Sequence, residues 1–429
     1  MVAEALNANP TVQGAQAALR QAQENAAAGQ GALFPQVSAS GSGTREQASG
    51  AQSGSSGAAV GSPSPYNLYN ASVSVSYALD VFGGTRRNIE SLQAQADYER
   101  FQLEASYLSI SSNVVTAAIQ EASLREQIAA TQDLVKTQRE YLDILQRQFQ
   151  LGGISQVNVA AQQAAVAQSE ATLPPLQKQL AQERSQLAVY LGRFPSEISG
   201  DPFRLSSLPL PTHLPLSLPS QLVQQRPDIR SAEAQVHEAT AKIGVAVANM
   251  LPQITLSGSY GSQALKLGDM FSPGTAAWSI GGSVAQTIFD GGTLLHERRA
   301  ADAGLDQAAA QYRSTVLSAF QDVANALHAI QNDADTLKAL VAAEQAAKRS
   351  LDLAFVQYRA GSADYATVLT AQTTLFDARI ARVQAQAARL SDTAALYQAL
   401  GGGWWNRTDV RPPNDAALSS PRRKRSLRT

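Results

Sequence analysis

Four histidines are the side chains in this sequence best suited to general acid–base work or to metal binding, because imidazole titrates near neutral pH and often binds metals. They are His213, His237, His296 and His328, scattered along the chain and without a second ligand at motif spacing. The sequence contains no cysteine, which excludes disulfides, zinc ribbons, iron–sulfur clusters and thiol catalysis. These residues therefore predict no metal centre.

Other catalytic patterns are equally lacking from the sequence. There is no HExxH, no GxSxG and no phosphate-binding P-loop motif. The pairs Gly83-Gly84 and Gly291-Gly292 are typical of a backbone turn between a strand and a helix. Carboxylates are spread along predicted helices, so no acid–base pair can be named. The sequence predicts a protein that is not an enzyme and has no cofactor.

Composition narrows the class of protein further. Only 16% of the residues are charged and the net charge is −1, which gives no electrostatic attraction for nucleic acid. Aromatic residues make up 6%, whereas Ala and Gln are abundant, as suits long, closely packed helices. No apolar run is long enough for a transmembrane helix.

An internal duplication organises the chain. Each copy contains the same segments in the same order, with constant spacing over its first part. The matching segments are Asn9-Pro10-Thr11-Val12 with Arg226-Pro227-Asp228-Ile229, Leu33-Phe34-Pro35-Gln36-Val37 with Met250-Leu251-Pro252-Gln253-Ile254, and Gly83-Gly84-Thr85 with Gly291-Gly292-Thr293. We therefore divide the chain into a first repeat (1–192), a Pro-rich connector (193–222), a second repeat (223–403) and a disordered basic tail (404–429).

Helices dominate both repeats. Each opens with a helix that begins at a proline, Pro10 or Pro227, where the missing N–H costs nothing. A very long helix follows, predicted over 85–151 and 293–360, and each would extend roughly 100 Å. A seven-residue apolar repeat from Val316 to Val341 predicts coiled packing against neighbouring helices. Returning helices are predicted over 155–191, bent at Pro174-Pro175, and over 364–400.

Strands with the opposite period lie between the helices. Apolar and small polar residues alternate over approximately 36–45, 69–80, 253–263 and 277–288. Segments of about ten such residues match the strands of a membrane barrel, although strands of a soluble sandwich alternate in the same way. Four strands cannot close a membrane barrel, because the smallest have about eight. Strands that cross a membrane here would require an oligomer with a shared barrel.

The duplicated pattern resembles the outer membrane factor family, the TolC-like channels, and in particular its NodT/OprM-type branch. The resemblance covers nearly the whole chain to Trp404. Its motifs include Leu218-Pro219-Ser220, Arg226-Pro227-Asp228-Ile229-Arg230, Leu251-Pro252-Gln253-Ile254, Ile288-Phe289-Asp290-Gly291-Gly292 and Leu396-Tyr397-Gln398-Ala399-Leu400-Gly401.

The resemblance implies a fold, partners, a function and a location in the outer membrane of a Gram-negative cell, with a periplasmic extension. The fold is mainly α with membrane β: duplicated helical hairpins form a periplasmic α-barrel, and four strands per chain contribute to a 12-stranded trimeric outer membrane β-barrel. The partners implied are two further copies of the chain, a periplasmic adaptor (membrane fusion) protein, an inner membrane RND-type pump and outer membrane lipid. The function implied is passive, porin-like export of drugs or other small toxic molecules, with multidrug resistance as the consequence.

The resemblance also implies two functional regions. The turns at Gly152-Gly153 and Gly361-Ser362 would be the periplasmic tips that dock onto the adaptor. The periplasmic entrance would lie just past the second tip, at Asp364, Tyr365, Thr367 and Thr370. Family members carry tyrosines and acidic residues there, and Thr367 and Thr370 depart from that pattern.

Alternatives remain at this point. Type I protein secretion uses channels of the same kind, and a soluble coiled-coil protein would explain the heptads but not the strands. The residues after Met1 have neither the charged nor the apolar part of a signal peptide. We therefore expect a leader, with a lipidated cysteine if the protein is a lipoprotein, to lie upstream of Met1.

Overall fold

The protein is mainly helical, with one four-stranded sheet. The computed structural model describes residues 1–47, 64–197, 204–208, 210 and 224–404. The described helices are α1 (Val2–Ala8), α2 (Pro10–Gln30), α3 (Gly84–Gln150), α4 (Gln156–Ala171), α5 (Leu173–Tyr190), α6 (Pro227–Asn249), α7 (Thr293–Arg359) and α8 (Tyr365–Ala399). The strands are β1 (Gln36–Glu46), β2 (Tyr66–Leu79), β3 (Gln253–Ala264) and β4 (Ala276–Ala285).

The two longest helices, α3 and α7, have 67 residues each. Both begin where an aspartate accepts hydrogen bonds from backbone N–H groups of the first turn, which have no partner within the helix. The Asp80 carboxylate accepts from Thr85 and Arg86 at 2.9 and 3.0 Å. The Asp290 carboxylate accepts from Gly292 and Leu294 at 2.8 and 2.9 Å. The glycine pairs are therefore turns that lead into capped helices.

The pKa values of both capping aspartates lie below the ordinary range. For Asp80, partial burial acts to raise the pKa, but the hydrogen bonds from Thr85 and Arg86 and the Arg86 charge outweigh it. For Asp290 the main cause is the bond from the Leu294 N–H. Both carboxylates therefore stay ionised and remain good acceptors at neutral pH.

The returning helices differ between the repeats. In the first repeat the helix is interrupted after Ala171, and α5 starts at Leu173 with prolines in its first turn. Pro174 and Pro175 lack the N–H groups that would continue the hydrogen-bond ladder of α4. In the second repeat α8 runs unbroken for 35 residues. The predicted bend is thus a helix boundary.

The strands form one antiparallel sheet in the order β1-β2-β3-β4. β1 and β4 are therefore its two edges. Compared with the sequence-based bounds, β1 extends to Glu46, β2 begins three residues earlier at Tyr66, and β4 ends at Ala285. The apolar pair Ile288-Phe289 belongs to the turn before Asp290.

Two compact units make up the chain, and each draws on both repeats. The first unit contains residues 1–17, 100–231 and 313–429. The second contains 18–99 and 232–312, including the whole sheet. The two sequence repeats therefore do not coincide with the two packing units, because each unit contains segments of both repeats.

Small residues hold the helices of the second unit together. Its buried positions include Ala22, Ala26, Ile89, Ala241 and Ala248. A Cβ added at Gly29 would lie 2.6 Å from the Leu92 side chain, and one at Gly244 would lie 2.8 Å from that of Arg87. Larger residues there would separate the helices, which explains the abundance of alanine.

The first unit has several apolar clusters. One joins Ile119 and Ala122 on α3 to Val383 and Ala387 on α8, with the fully buried Leu205 between them. Leu205 belongs to the connector, where six prolines between Phe194 and Pro219 predict an extended chain and not a helix. The described parts of the connector instead contain two short 3-10 turns, Pro195–Glu197 and Leu205–Ser207. Residues 198–203, 209, 211–223 and the predicted basic tail from 405 onward lie outside the described residues.

The heptad pattern of α7 is only partly covered by the chain itself. The buried residues of the helix α7 are Ala319, Ala326, Ala347 and Ala354. Phe320, Leu327 and Val341, which belong to the predicted heptad stripe, remain more than a third exposed. The described part of a single chain therefore leaves apolar helix surface unpaired. Within the described residues, no helix has the length and apolar character needed to span a membrane.

Arg226 links three elements of the first unit just before α6 begins. Its guanidinium donates to Asp228 on α6 and to Asp322 on α7, at 2.7 and 3.0 Å. It also donates to the carbonyl oxygen of Ala399 at the end of α8, at 3.0 Å. Burial acts to lower the pKa of Arg226, but these carboxylates outweigh it and raise the pKa above its usual value. Arg226 is thus a permanently charged bridge.

Candidate functional site

One face of the sheet is apolar and uncovered. The register places Trp278, Tyr260 and Val73 in one row across β4, β3 and β2, and Ile280 and Val75 lie in the next row. Trp278 and Ile280 are 73% and 83% exposed, so no other described part of the chain packs over them. An apolar patch of this extent marks contact with a membrane or a protein.

The opposite face of the same sheet is polar. It carries a row of serines, one from each strand: Ser38, Ser74, Ser259 and Ser279. The alternation of apolar and small polar residues therefore places two chemically different surfaces on the two sides of one sheet. This is the pattern of strands with lipid on one side and water on the other.

The two helical turns predicted as periplasmic tips have the same geometry. Gly152 and Gly361 have positive φ angles of 74° and 73°, which glycine adopts without strain. The next N–H, of Gly153 or Ser362, donates to the carbonyl oxygen of Gln148 or Gln357, at 2.9 Å in both turns. The N–H of Gly152 or Gly361 itself donates to the carbonyl oxygen of Phe149 or Tyr358, at 2.9 and 3.0 Å. These two hydrogen bonds form the Schellman motif, which ends a helix and reverses the chain. The exposed residues of each turn are available for contact.

The residues predicted at the entrance lie on two faces of α8. Asp364 caps the helix, and its carboxylate accepts from the hydroxyl and N–H of Thr367, at 2.7 and 3.0 Å. The Thr367 hydroxyl, and then its N–H, lower the pKa of Asp364. Thr370 donates to the Ala366 carbonyl oxygen. Asp364, Thr367 and Thr370 are all exposed, so they form a polar strip along one side of the helix.

Tyr365 points to the other side and is only 3% exposed. Its hydroxyl donates to Oε1 of Gln162 on α4 at 2.8 Å. The Gln162 amide in turn donates to the carbonyl oxygen of Gln138 on α3 at 2.7 Å. Burial, and then the neighbouring Tyr358 and Tyr141, raise the pKa of Tyr365. A neutral chain of hydrogen bonds thus links the two helical hairpins close to the turns predicted as periplasmic tips.

Gln162 was missed by the sequence analysis, although a signal was present. It lies three residues after Val159 and four before Val166, and all three side chains are buried. A polar residue at such a core position commonly fixes the register between helices. The mixed apolar cluster around it includes Leu145, Val368 and Ala371.

The histidines of the described residues form no metal-binding group. His237 lies on the surface, with Nε2 3.3 Å from a carboxylate oxygen of Glu90, and His213 lies outside the described residues. Among the described residues, no group of three or more His, Asp or Glu side chains could hold a metal ion.

An amphipathic four-stranded sheet combined with duplicated helices of 67 residues is the arrangement of a channel protein of the outer membrane. Comparison with known proteins identifies the family. The profile of the family described as outer membrane efflux protein matches residues 1–193 and 218–402. The chain belongs to this family.

Two relatives show how far the similarity extends. The chain is 32% identical, over 90% of its own length and 81% of the relative's, to the pyoverdine export outer membrane protein OpmQ of Pseudomonas aeruginosa. It is 31% identical, over 88% and 77%, to the toluene efflux pump outer membrane protein TtgC of Pseudomonas putida.

Solved structures share the fold. The outer-membrane channel OprN matches with a TM-score of 0.88 at 28% identity, covering 94% of this chain and 89% of OprN. The open state of the MtrE outer membrane channel of Neisseria gonorrhoeae matches with a TM-score of 0.82 at 28% identity, covering 94% and 88%. The protein is therefore an outer membrane efflux channel with a helical barrel portion and a β-barrel portion. This result favours the channel over a soluble coiled-coil protein.

Proposed function

We propose that three copies of this chain form the outer membrane channel of a tripartite system, which passively exports drugs or other small toxic molecules. An inner membrane RND-type pump delivers the cargo through a periplasmic adaptor, and the channel itself has no catalytic step. The observation that carries the proposal is the sheet, with its uncovered apolar face and two open edges.

The open edges argue for the trimer. In lipid, an unpaired N–H or C=O group costs several kcal/mol, so a single four-stranded sheet cannot stay in the membrane. Three sheets joined edge to edge give twelve strands, above the minimum of about eight that a membrane barrel needs. The partly exposed heptad stripe of α7 supports the same assembly, because neighbouring copies would cover it.

Small molecules are the proposed cargo. OpmQ and TtgC are named for pyoverdine export and toluene efflux, which are small-molecule tasks. Deleting the gene in its own bacterium should lower tolerance to drugs, dyes or metals, and the intact gene should restore it. Unchanged tolerance together with lost secretion of a protein would instead favour type I protein secretion.

The entrance residues give a sharper test. We infer that the bond from Tyr365 to Gln162 holds the helical hairpins in a narrow arrangement at the periplasmic end. Replacing Tyr365 with Phe removes one buried hydrogen bond, worth about 1 kcal/mol, which corresponds to about a fivefold shift in an opening equilibrium. Single-channel recordings in planar bilayers should show a higher conductance or longer openings.

Tyr358→Phe is the matched control for this prediction. Tyr358 packs edge-on against Tyr365, with ring centroids 5.3 Å apart, and none of the described residues receives a hydrogen bond from its hydroxyl. It should conduct like the native channel, whereas Gln162→Leu should resemble Tyr365→Phe. If Tyr365→Phe and Tyr358→Phe conduct alike, Tyr365 does not hold the entrance.

A further inference from the structure

Charge is almost absent from the sheet. Among all residues of β1 to β4, only Arg45 and Glu46 are charged, and both lie at the last two positions of β1. The register places them on opposite faces: Arg45 belongs to the apolar face and Glu46 to the polar face. The polar face therefore has one charged group per chain, at the end where β1 leads into its connection to β2.

Most other residues of that face carry hydroxyl or amide groups, and the remainder are small or apolar and uncharged, such as Leu68, Ala78 and Ala277. One row consists of Ser38, Ser74, Ser259 and Ser279. Neighbouring rows add Gln36, Ser40, Ser42, Asn70, Ser72, Ser76, Thr255, Ser257 and Ser283. The hydroxyls of Ser259 and Ser279 are 2.8 Å apart, and those of Ser40 and Ser72 are 3.0 Å apart. The surface is thus a neutral layer of groups that both donate and accept hydrogen bonds.

The connections at the same end add little charge. Residues 47–65, between β1 and β2, contain no charged residue. The connection between β3 and β4 contains Lys266 and Asp269, one charge of each sign. The four charges at this mouth, Arg45, Glu46, Lys266 and Asp269, sum to zero in each chain, and Glu46 is the strand charge that lies on the polar face.

We propose that the part of the channel inside the membrane is a charge-blind conduit, in which neutral hydroxyl and amide groups line the path and pass anionic, cationic and uncharged organic molecules alike. This inference rests on the proposed function, because it needs the polar face to surround the path. In the trimer each chain contributes one such row of hydroxyls to the polar lining. A rotating hydroxyl solvates either sign of charge, whereas fixed charges in low-dielectric walls would favour one sign.

Selection by charge, where it occurs, then lies outside the sheet. The conduit also has no groups that would bind cargo tightly. A cargo molecule therefore passes its hydrogen bonds from one hydroxyl to the next without entering a deep energy minimum. This property suits export of chemically unrelated molecules.

The lack of native cysteine permits a direct test. Ser74→Cys and Ser259→Cys, each with Arg45→Gln and Glu46→Gln to remove both strand charges, are introduced into the full-length protein in liposomes. An anionic and a cationic methanethiosulfonate of similar size are applied at about 10 mM salt, where charge acts over roughly 30 Å. The measured quantity is the rate of cysteine modification by the cationic reagent divided by the rate for the anionic reagent. This ratio is then divided by the same ratio for free cysteine in solution. The result is expected to lie within about twofold of one, which corresponds to less than 0.5 kcal/mol.

Two further variants distinguish a failure of the charge-blind conduit from a failure of the proposed function. Adding Ser259→Asp to Ser74→Cys places a carboxylate directly across the strand pair and should raise the ratio at least about tenfold, or 1.4 kcal/mol. Val75→Cys, on the apolar face, should resist both reagents. A ratio far from one in the neutral background, or no response to Ser259→Asp, overturns the charge-blind conduit. Reaction at Val75→Cys with protection of Ser74→Cys and Ser259→Cys would instead overturn the channel orientation on which the proposed function depends.

Discussion

Replacing Gly361 with Glu is expected to abolish export while the assembled protein stays in the membrane. Gly361 ends α7 with φ at 73°, and a Cβ built there meets no atom within 4 Å. A glutamate would therefore project freely from the turn and add charge and bulk to a surface that we propose docks onto the adaptor. Drug tolerance of a deletion strain carrying the variant should fall to that of the strain without the gene.

Gly361→Ala separates docking from strain. Any residue with a Cβ pays roughly 1–2 kcal/mol in this backbone conformation, and alanine adds neither charge nor length. The alanine variant should keep most of the tolerance, and both variants should purify as trimers. A glutamate variant that exports normally would contradict the docking role, and one that fails to trimerise would move the effect to assembly. Gly152→Glu, at the equivalent turn, should behave like Gly361→Glu.

The second large effect is expected from Arg226→Met, which should destabilise the first unit by about 2–3 kcal/mol. The Arg226 side chain is only 11% exposed, whereas its partners Asp228 and Asp322 are 41% and 54% exposed. Methionine keeps much of the volume but leaves the Ala399 carbonyl oxygen without its charged donor. The two aspartates can rehydrate, so the loss stays below that of a fully buried pair.

Urea unfolding of the purified protein, followed by helical circular dichroism, would measure the Arg226 effect. Arg298→Gln serves as the control, because the Arg298–Asp302 pair is 3.8 Å apart and both side chains are about half exposed. It should change stability by less than about 0.5 kcal/mol. Equal unfolding midpoints for the two variants would show that the Arg226 bridge contributes no more to stability than the exposed Arg298–Asp302 pair.

Much of the fold followed from local signals in the sequence. The bounds of α3 and α7 lie within about one residue of the prediction, because a glycine pair marks each start and a Schellman turn each end. The strands were recognisable from their alternation. Their ends were less accurately predicted, because polar residues such as Glu46 and Asn67 suit a strand and a loop equally well.

The orientation of side chains near the entrance could not be predicted. Asp364 and Tyr365 are adjacent in sequence, yet one caps the helix in solvent and the other is buried against Gln162. The heptad period identified an apolar stripe on α7 but not which part of it the same chain covers. The buried residues of α7 are instead four alanines outside that stripe, at 319, 326, 347 and 354, where a small side chain allows close helix approach.

Because the sheet has two free edges, the rate at which chains meet also affects how much channel is assembled. A lone chain presents unpaired rows along β1 and β4, which could pair with almost any exposed strand, so newly made protein is vulnerable until its neighbours arrive. The yield of inserted channel should therefore rise more steeply than protein concentration and depend on factors that shield strands in transit. A variant whose sheet edge cannot pair should be dominant when it is expressed together with the native chain. One such chain would leave an unpaired edge in every trimer that it joins.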